Sequence, residues 1–287
     1  MAGSGYYNYT PSSTAAIIFV FLFAINTLLH LWRMIRSKAW FLVPFLIGGF
    51  FDLIGYIARM MSAKESPNYK RGPFIIQALL LLLGPAFFAA SIYMILGRII
   101  LLTGGEAHAP IRRRWLTKIF VTGDVISFLA QAARTDILPM TSPVTTTGQK
   151  IIIAGLFVQI IFFGIFISAS VLFHARINKV PTQSSSQLDI NWRKHIWVLY
   201  TANALIMVRS VYRVIEYIQG KERYLQSKEL FLYIFDAALM VVIMVIMNVV
   251  HPSEINGWLK AGRGTGAEVD AEMQNLAAGE RPTHKAR

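Results

Sequence analysis

The chain has 287 residues, 55% of them hydrophobic and only 15% charged, whereas a soluble domain carries about 25% charged residues. The apolar residues fall in long runs separated by short basic loops, which excludes a single soluble core and marks an integral membrane protein. The absence of cysteine removes disulfides, thiolate catalysis, Fe–S clusters and Cys-ligated zinc, and the net charge of +13 lies beside the apolar runs, so it fits helix orientation and anionic headgroups at cytoplasmic loops and not nucleic acid.

The N-terminal tail, residues 1–13 (MAGSGYYNYTPSS), has no positive region before the first apolar run, so no cleavable signal peptide is expected. Asn8-Tyr9-Thr10 is a glycosylation sequon followed by Pro11. A hydrocarbon core of ~30 Å needs about 20 helical residues. Seven segments meet this: 14–32, 39–61, 74–97, 116–137, 148–174, 196–218 and 229–250. None alternates as a barrel strand does. The expected fold is an all-α, seven-transmembrane-helix bundle over residues 14–251, followed by a polar, Gly- and Ala-rich flexible tail over 252–287.

Lysine and arginine set the orientation. They crowd the first loop (Arg33, Arg36, Lys38), the third (Arg98, Arg112, Arg113, Arg114, Lys118), the fifth (Arg176, Lys179, Arg193, Lys194) and the C-terminal tail, and are missing from the N-terminal tail and from 138–147. The N-terminus is therefore expected outside and the C-terminus in the cytoplasm.

Ionisable residues interrupt the spans: Asp52 and Arg59 in the second, Asp124 and Arg134 in the fourth, Arg209, Arg213 and Glu216 in the sixth, and Asp236 in the seventh. Each costs at least ~2.5–3.5 kcal/mol at the bilayer centre. Their spacing is ordered. Asp52, Tyr56 and Arg59, then Asp124, Phe128 and Gln131, then Arg209, Arg213 and Glu216, each fall at i, i+4, i+7 and share one helix face. Such stripes must face the bundle interior or a wet cavity. At 1.5 Å per residue, Asp52, Arg209 and Asp236 share a depth just outside the midplane, about 14 Å or less from the outer helix ends. The expectation is a polar cavity in the outer half of the bundle, with Asp124 as its inward extension. Buried ion pairs can also simply lock helices together. Gly84-Pro85 should break the third helix and free backbone carbonyls, while Pro44 and Gly48-Gly49 should loosen the second.

Six stretches carry a family resemblance: FDLIGYIAR (51–59), GPAFFAASIYMILGRII (84–100), KIFVTGDVISFLAQAA (118–133), RSVYRVIEYIQG (209–220), ELFLYIFDAALM (229–240) and the closing His251-Pro252. In this order, and with the YTPSS start, they resemble the fungal RTA1-like family over about residues 9–252. The resemblance implies a seven-helix lipid-translocating exporter acting on sphingoid bases, phospholipids or toxic amphiphiles. It also implies a plasma-membrane location, with vacuolar or endosomal membranes as alternatives. The family pattern favours Glu where this chain has Asp52, which keeps the charge and shortens its reach by one methylene.

Three functional readings follow. In the first, the chain exports lipids or lipid-like amphiphiles, with Asp52, Tyr56, Arg59, Asp124, Gln131, Arg209, Arg213, Glu216 and Asp236 as the binding or coupling set. Asp52, Asp124 and Asp236 would receive an ammonium headgroup, Arg209 and Arg213 would balance those acids or take a phosphate, and Glu216 would carry a coupling proton. With no Walker motif, no cofactor and no catalytic residue are called for. In the second, the same pocket belongs to a seven-helix lipid sensor or regulator. In the third, His30, His174, His195 and His251 near the inner helix ends hold the zinc of a membrane lipid hydrolase.

Overall fold

The computed structural model describes residues 11–65, 70–111, 113–137, 146–182, 192–219 and 229–259, and among these it is helical throughout, with no strand. Ser12 opens α1 (Ser13–Ser37) by accepting the Ala15 amide proton on its hydroxyl, and Lys38 closes it in the left-handed region at φ 52°. A short 3₁₀ turn, Trp40–Leu42, leads into α2 (Val43–Lys64). Pro44 lies in the first turn of α2, where its missing N–H costs nothing. The expected loosening at Pro44 is thus corrected: it starts the helix.

The third helix, α3 (Arg71–Leu102), is followed by a 3₁₀ turn at Gly105–His108 and by α4 (Arg113–Ile137) and α5 (Thr146–Lys179). Then come α6 (Trp192–Gln219) and α7, which is α-helical over Glu229–Leu232, π-helical over Tyr233–Ala238 and α-helical again over Leu239–Val249. Residues 253–259 form a last helix, α8, with Ile255 fully buried. The flexible tail expected from residue 252 therefore begins as ordered helix. Residues 260–287, and the Asn8 sequon, lie outside the described residues.

Among the described residues, six helical stretches are long and apolar enough to cross a membrane: Ser13–Ser37, Trp40–Lys64, Gly72–Leu102, Ile153–Lys179, Trp192–Gln219 and Glu229–Leu259. The fourth helix has 25 residues but a polar sequence, with Arg113, Arg114, Lys118, Asp124, Arg134 and Asp136 along it, and is not among them. The packing is inverted relative to a soluble protein. Phe21, Ile25, Trp32, Ile126, Ile161 and Trp197 are exposed, while Asp52, Arg59, Asn203, Arg209 and Asp236 are buried. Lipid accounts for this arrangement, since it solvates apolar side chains and forces polar ones inward.

Glycines set the tightest contact, between α2 and α3. A Cβ on Gly48 would stand 2.8 Å from the Gly84 carbonyl oxygen, and one on Gly55 would stand 2.7 Å from a Leu81 methyl. Small residues let helix backbones approach in membranes, where lipid offers no hydrophobic drive to bring them together. Gly48 therefore seats α2 on α3, in place of the expected loosening.

Candidate functional site

The site begins with a proline. Pro85 stands inside α3 without an N–H, so the carbonyl four residues earlier, at Leu81, loses its helical donor. Arg209 of α6 supplies the missing bond: its Nη2 donates to the Leu81 carbonyl at 2.7 Å. The same nitrogen lies 2.6 Å from Asp236 Oδ1 of α7. One guanidinium thus joins α3, α6 and α7.

Arg213, one turn along α6, shares that carboxylate. Its Nη2 is 2.8 Å from Asp236 Oδ2, its Nε donates to Oδ1 at 3.2 Å, and its Nη1 reaches Glu216 Oε2 at 3.2 Å. Asp236 is therefore clamped between two arginines, and it lies in the π-helical stretch of α7. Such wide turns concentrate at functional sites.

Asp52 of α2 has a different environment. It is 2% exposed, and its Oδ2 has no hydrogen-bond partner among the described residues. Its carboxylate fills the space over Gly84, where a Cβ would overlap it. One turn on, Tyr56 is fully buried and its hydroxyl also has no partner among the described residues. The Tyr56 ring stacks on Phe23 at 5.3 Å and on Phe19 at 5.6 Å, and Phe19 stacks on Tyr233 at 5.1 Å. The result is an aromatic wall beside a lone carboxylate.

Arg59, fully buried at the next turn, pairs through Nη2 with Glu229 Oε1 at 2.6 Å and donates through Nε to the Tyr233 hydroxyl at 3.1 Å. Glu229 Oε2 also accepts the Ser12 amide proton at 2.8 Å. This ties the starts of α1 and α7 to the end of α2 and closes that end of the bundle.

The structure thus brings together Asp52, Tyr56 and Arg59 on α2, Arg209, Arg213 and Glu216 on α6, and Asp236 on α7. Asp124 makes its contact elsewhere, between α3, α4 and α5. Its Oδ2 accepts from the Tyr93 hydroxyl at 3.0 Å, and Tyr93 packs on Phe120 and Phe166. Tyr93 lies nine residues beyond Gly84, so this contact is about 14 Å deeper along α3. The side chains of Phe128, Gln131 and Arg134 lie outside the described residues.

The four histidines do not form one ligand set. His174 faces the Tyr200 hydroxyl at 3.1 Å, His195 faces Glu254 at 3.2 Å, and the rings of His30 and His251 are 5.7 Å apart. Among the described residues no three His, Asp or Glu side chains converge as metal ligands, so the zinc reading has no donor set there.

Sequence reasoning missed Glu229 and Tyr233, although with Asp236 they repeat the i, i+4, i+7 rhythm of the other stripes. It also missed Asn203, 1% exposed, whose two amide atoms have no partner among the described residues. Asn203 lies six residues, about 9 Å, along α6 from Arg209. A buried carboxamide is costly unless bonded, so this residue marks polar demand deeper in the bundle.

Residues 45–257 match the family described as RTA1 like protein. Protein RTA1 of Saccharomyces cerevisiae is 36% identical over 281 residues, covering 88% of this chain and 87% of its own length. Protoporphyrin uptake protein 1 of the same yeast is 35% identical over 281 residues, with 85% and 90% covered. The sphingoid long-chain base transporter RSB1, also from this yeast, is 24% identical over 302 residues, with 93% and 78% covered. No solved structure matches the chain.

Proposed function

The chain belongs to the RTA1-like family, and from that premise we propose that it translocates lipids or lipid-like amphiphiles through the charged interior of a seven-helix bundle. The observation that carries this reading is Asp52, buried, without an ion pair among the described residues and with no hydrogen-bond partner there for its Oδ2. Arg59 is paired with Glu229, and Arg209 and Arg213 are shared between Asp236 and Glu216. Three arginines thus stand against four carboxylates, and Asp52 is the acid left over. A buried excess acid beside aromatic rings suits an ammonium headgroup, which gains both charge pairing and cation–π contact.

In this reading Asp52 and Tyr56 receive the headgroup, and the acyl chain stays between helices in lipid. Arg209 and Arg213 hold Asp236 away from the substrate, and Glu216 is the coupling acid. Asp124, bonded to Tyr93, forms a second polar station deeper in the bundle, and Gln131, two turns toward the outer end of α4, is kept as an expected member of the set. The sphingoid base in the name of one relative supports an amine-bearing substrate. The protein would lie in the plasma membrane with its N-terminus outside and its C-terminus in the cytoplasm, α4 being the seventh span. The exposed Ile119, Val125, Ile126 and Leu129 of α4 support that crossing.

The test is reconstitution. Purified protein in liposomes should move a fluorescent cationic amphiphile, and Asp52→Asn and Arg209→Gln should each reduce the rate at least tenfold. Undiminished movement by both variants would sink the site. A folded wild-type protein that binds the amphiphile without moving it would instead favour the sensor reading.

A further inference from the structure

At the opposite end of the bundle, α1 ends beside the end of α7 and the start of α8. His251 stands at this junction, 5% exposed. Its Nδ1 accepts twice from Ser253, from the backbone N–H at 3.3 Å and from the hydroxyl at 2.8 Å. A nitrogen that accepts an N–H carries no proton, so the neutral ring bears its hydrogen on Nε2. That Nε2 is buried and has no partner among the described residues. A buried donor without an acceptor is unfavourable, so an acceptor belongs there.

The surroundings identify its charge. The His30 ring is 5.7 Å from that of His251, and the His30 Nε2 donates to the Met244 carbonyl at 3.0 Å. One turn further along α1, Arg33 donates through Nη1 to the Asn248 carbonyl, one turn before His251. Arg33 is half-buried, and a guanidinium carries donors beyond the one it spends on the Asn248 carbonyl. Arg98 of α3 bonds Asn256 of α8 at 2.8 Å with its guanidinium over the Phe41 ring. The carboxylate of Glu254, one turn on from His251, is engaged by His195 at 3.2 Å. The Met244 and Asn248 carbonyls of α7 are already engaged by His30 and Arg33, Asn256 by Arg98 and Glu254 by His195, so Arg33, bonded one turn before His251, is the cation that α1 brings to this junction.

We propose that His251 and Arg33 form an anion site at the α1–α7–α8 junction, shaped for the oxygens of a phosphate group. A phosphate oxygen accepts the His251 Nε2–H while the Arg33 guanidinium neutralises the charge, the usual pairing of a planar cation with this anion. The site is independent of the ion-pair cluster near Asp52 and does not rest on the transport reading. The same chemistry is offered by a phospholipid headgroup at the membrane surface and by free phosphate.

Thermal unfolding of the purified full chain, in two arms, tests the site. In detergent, chloride is replaced by inorganic phosphate at constant ionic strength. In nanodiscs, phosphatidylcholine alone is compared with phosphatidylcholine containing phosphatidic acid. The wild type should gain several degrees in at least one arm. A gain in the detergent arm identifies free phosphate as sufficient, and a gain only with phosphatidic acid identifies the headgroup. His251→Phe and Arg33→Gln should abolish the gain, and His251→Gln, which keeps an N–H near the same position, should retain part of it. Should His251→Phe fail to fold, Arg33→Gln and His251→Gln carry the comparison. No gain for the wild type in either arm, or full gain in the variants, overturns the proposal and leaves water as the acceptor.

Discussion

Arg209 completes a hydrogen bond that Pro85 breaks: its guanidinium sits 2.7 Å from the Leu81 carbonyl, the acceptor that a proline four residues later deprives of its partner. The helix defect and the buried charge therefore solve each other. An arginine in the membrane needs acceptors, and a proline in a membrane helix exposes one.

Replacing Pro85 with Ala should separate the two. The new N–H competes for the Leu81 carbonyl, and Arg209 keeps only Asp236. Removing an interior proline recovers roughly 3 kcal/mol, and weakening a charged hydrogen bond costs about 1.5–3 kcal/mol. Stability should move little, while Arg209 shifts and transport falls. Unfolding in detergent together with liposome flux checks this. A variant that is markedly more stable and fully active would show that Arg209 does not depend on the defect.

Gly84 should tolerate no side chain. A Cβ there overlaps the Asp52 carboxylate, whereas a Cβ on Gly164 of α5 meets nothing within 4 Å. Gly164→Ala should be neutral or stabilising by roughly 0.5–1 kcal/mol through helix propensity. Gly84→Ala should cost about 1–3 kcal/mol, as overpacking does. It should also displace Asp52 and abolish amphiphile movement. Equal behaviour of the two variants, read by thermal unfolding, would contradict the close approach.

Arg59 and Glu229 should behave as a single unit. Arg59→Gln and Glu229→Gln each break the 2.6 Å pair, and Arg59→Gln also frees the Tyr233 hydroxyl. Removing one partner of a buried pair costs about 3–5 kcal/mol, less here because Glu229 is partly exposed. A double-mutant cycle should return a coupling of about 1–3 kcal/mol. Coupling indistinguishable from zero would show that the pair does not hold α2 to α7.

How much of this was legible in the sequence depends on whether local spacing or tertiary geometry decides. The stripes of α2 and α6 were readable because a helix forces residues at i, i+4 and i+7 onto one face. Their common depth with Asp236 followed from rise per residue alone. Glu229 was not singled out because it stands at a helix end, where an acid is ordinary. The π-helical stretch was hidden because Tyr-Ile-Phe-Asp-Ala-Ala contains no breaker and its widening depends on neighbouring helices. Gly48-Gly49 shows the converse: glycine loosens an isolated helix, but between packed helices it marks contact. Asp124 of α4 is buried, and only the three-dimensional packing shows that it faces Tyr93 and the aromatic rings around it.

Asp52 and Asp236 should part company under the same isosteric change. Asp236 is held by two arginines, so Asp236→Asn leaves two buried guanidinium groups short of charge and should cost about 3–5 kcal/mol. Asp52 has no ion pair among the described residues, and its Oδ2 has no hydrogen-bond partner there. Asp52→Asn orphans no cation, and its stability should stay within about 1 kcal/mol of wild type or rise, because a desolvated carboxylate is removed. Transport should nonetheless be lost, since the carboxyl group that would pair with an ammonium headgroup is gone. Thermal unfolding and liposome flux measured on the same preparations decide the matter. Asp52→Asn as unstable as Asp236→Asn would make Asp52 a structural partner, whereas a stable, fully active Asp52→Asn would remove it from the binding site.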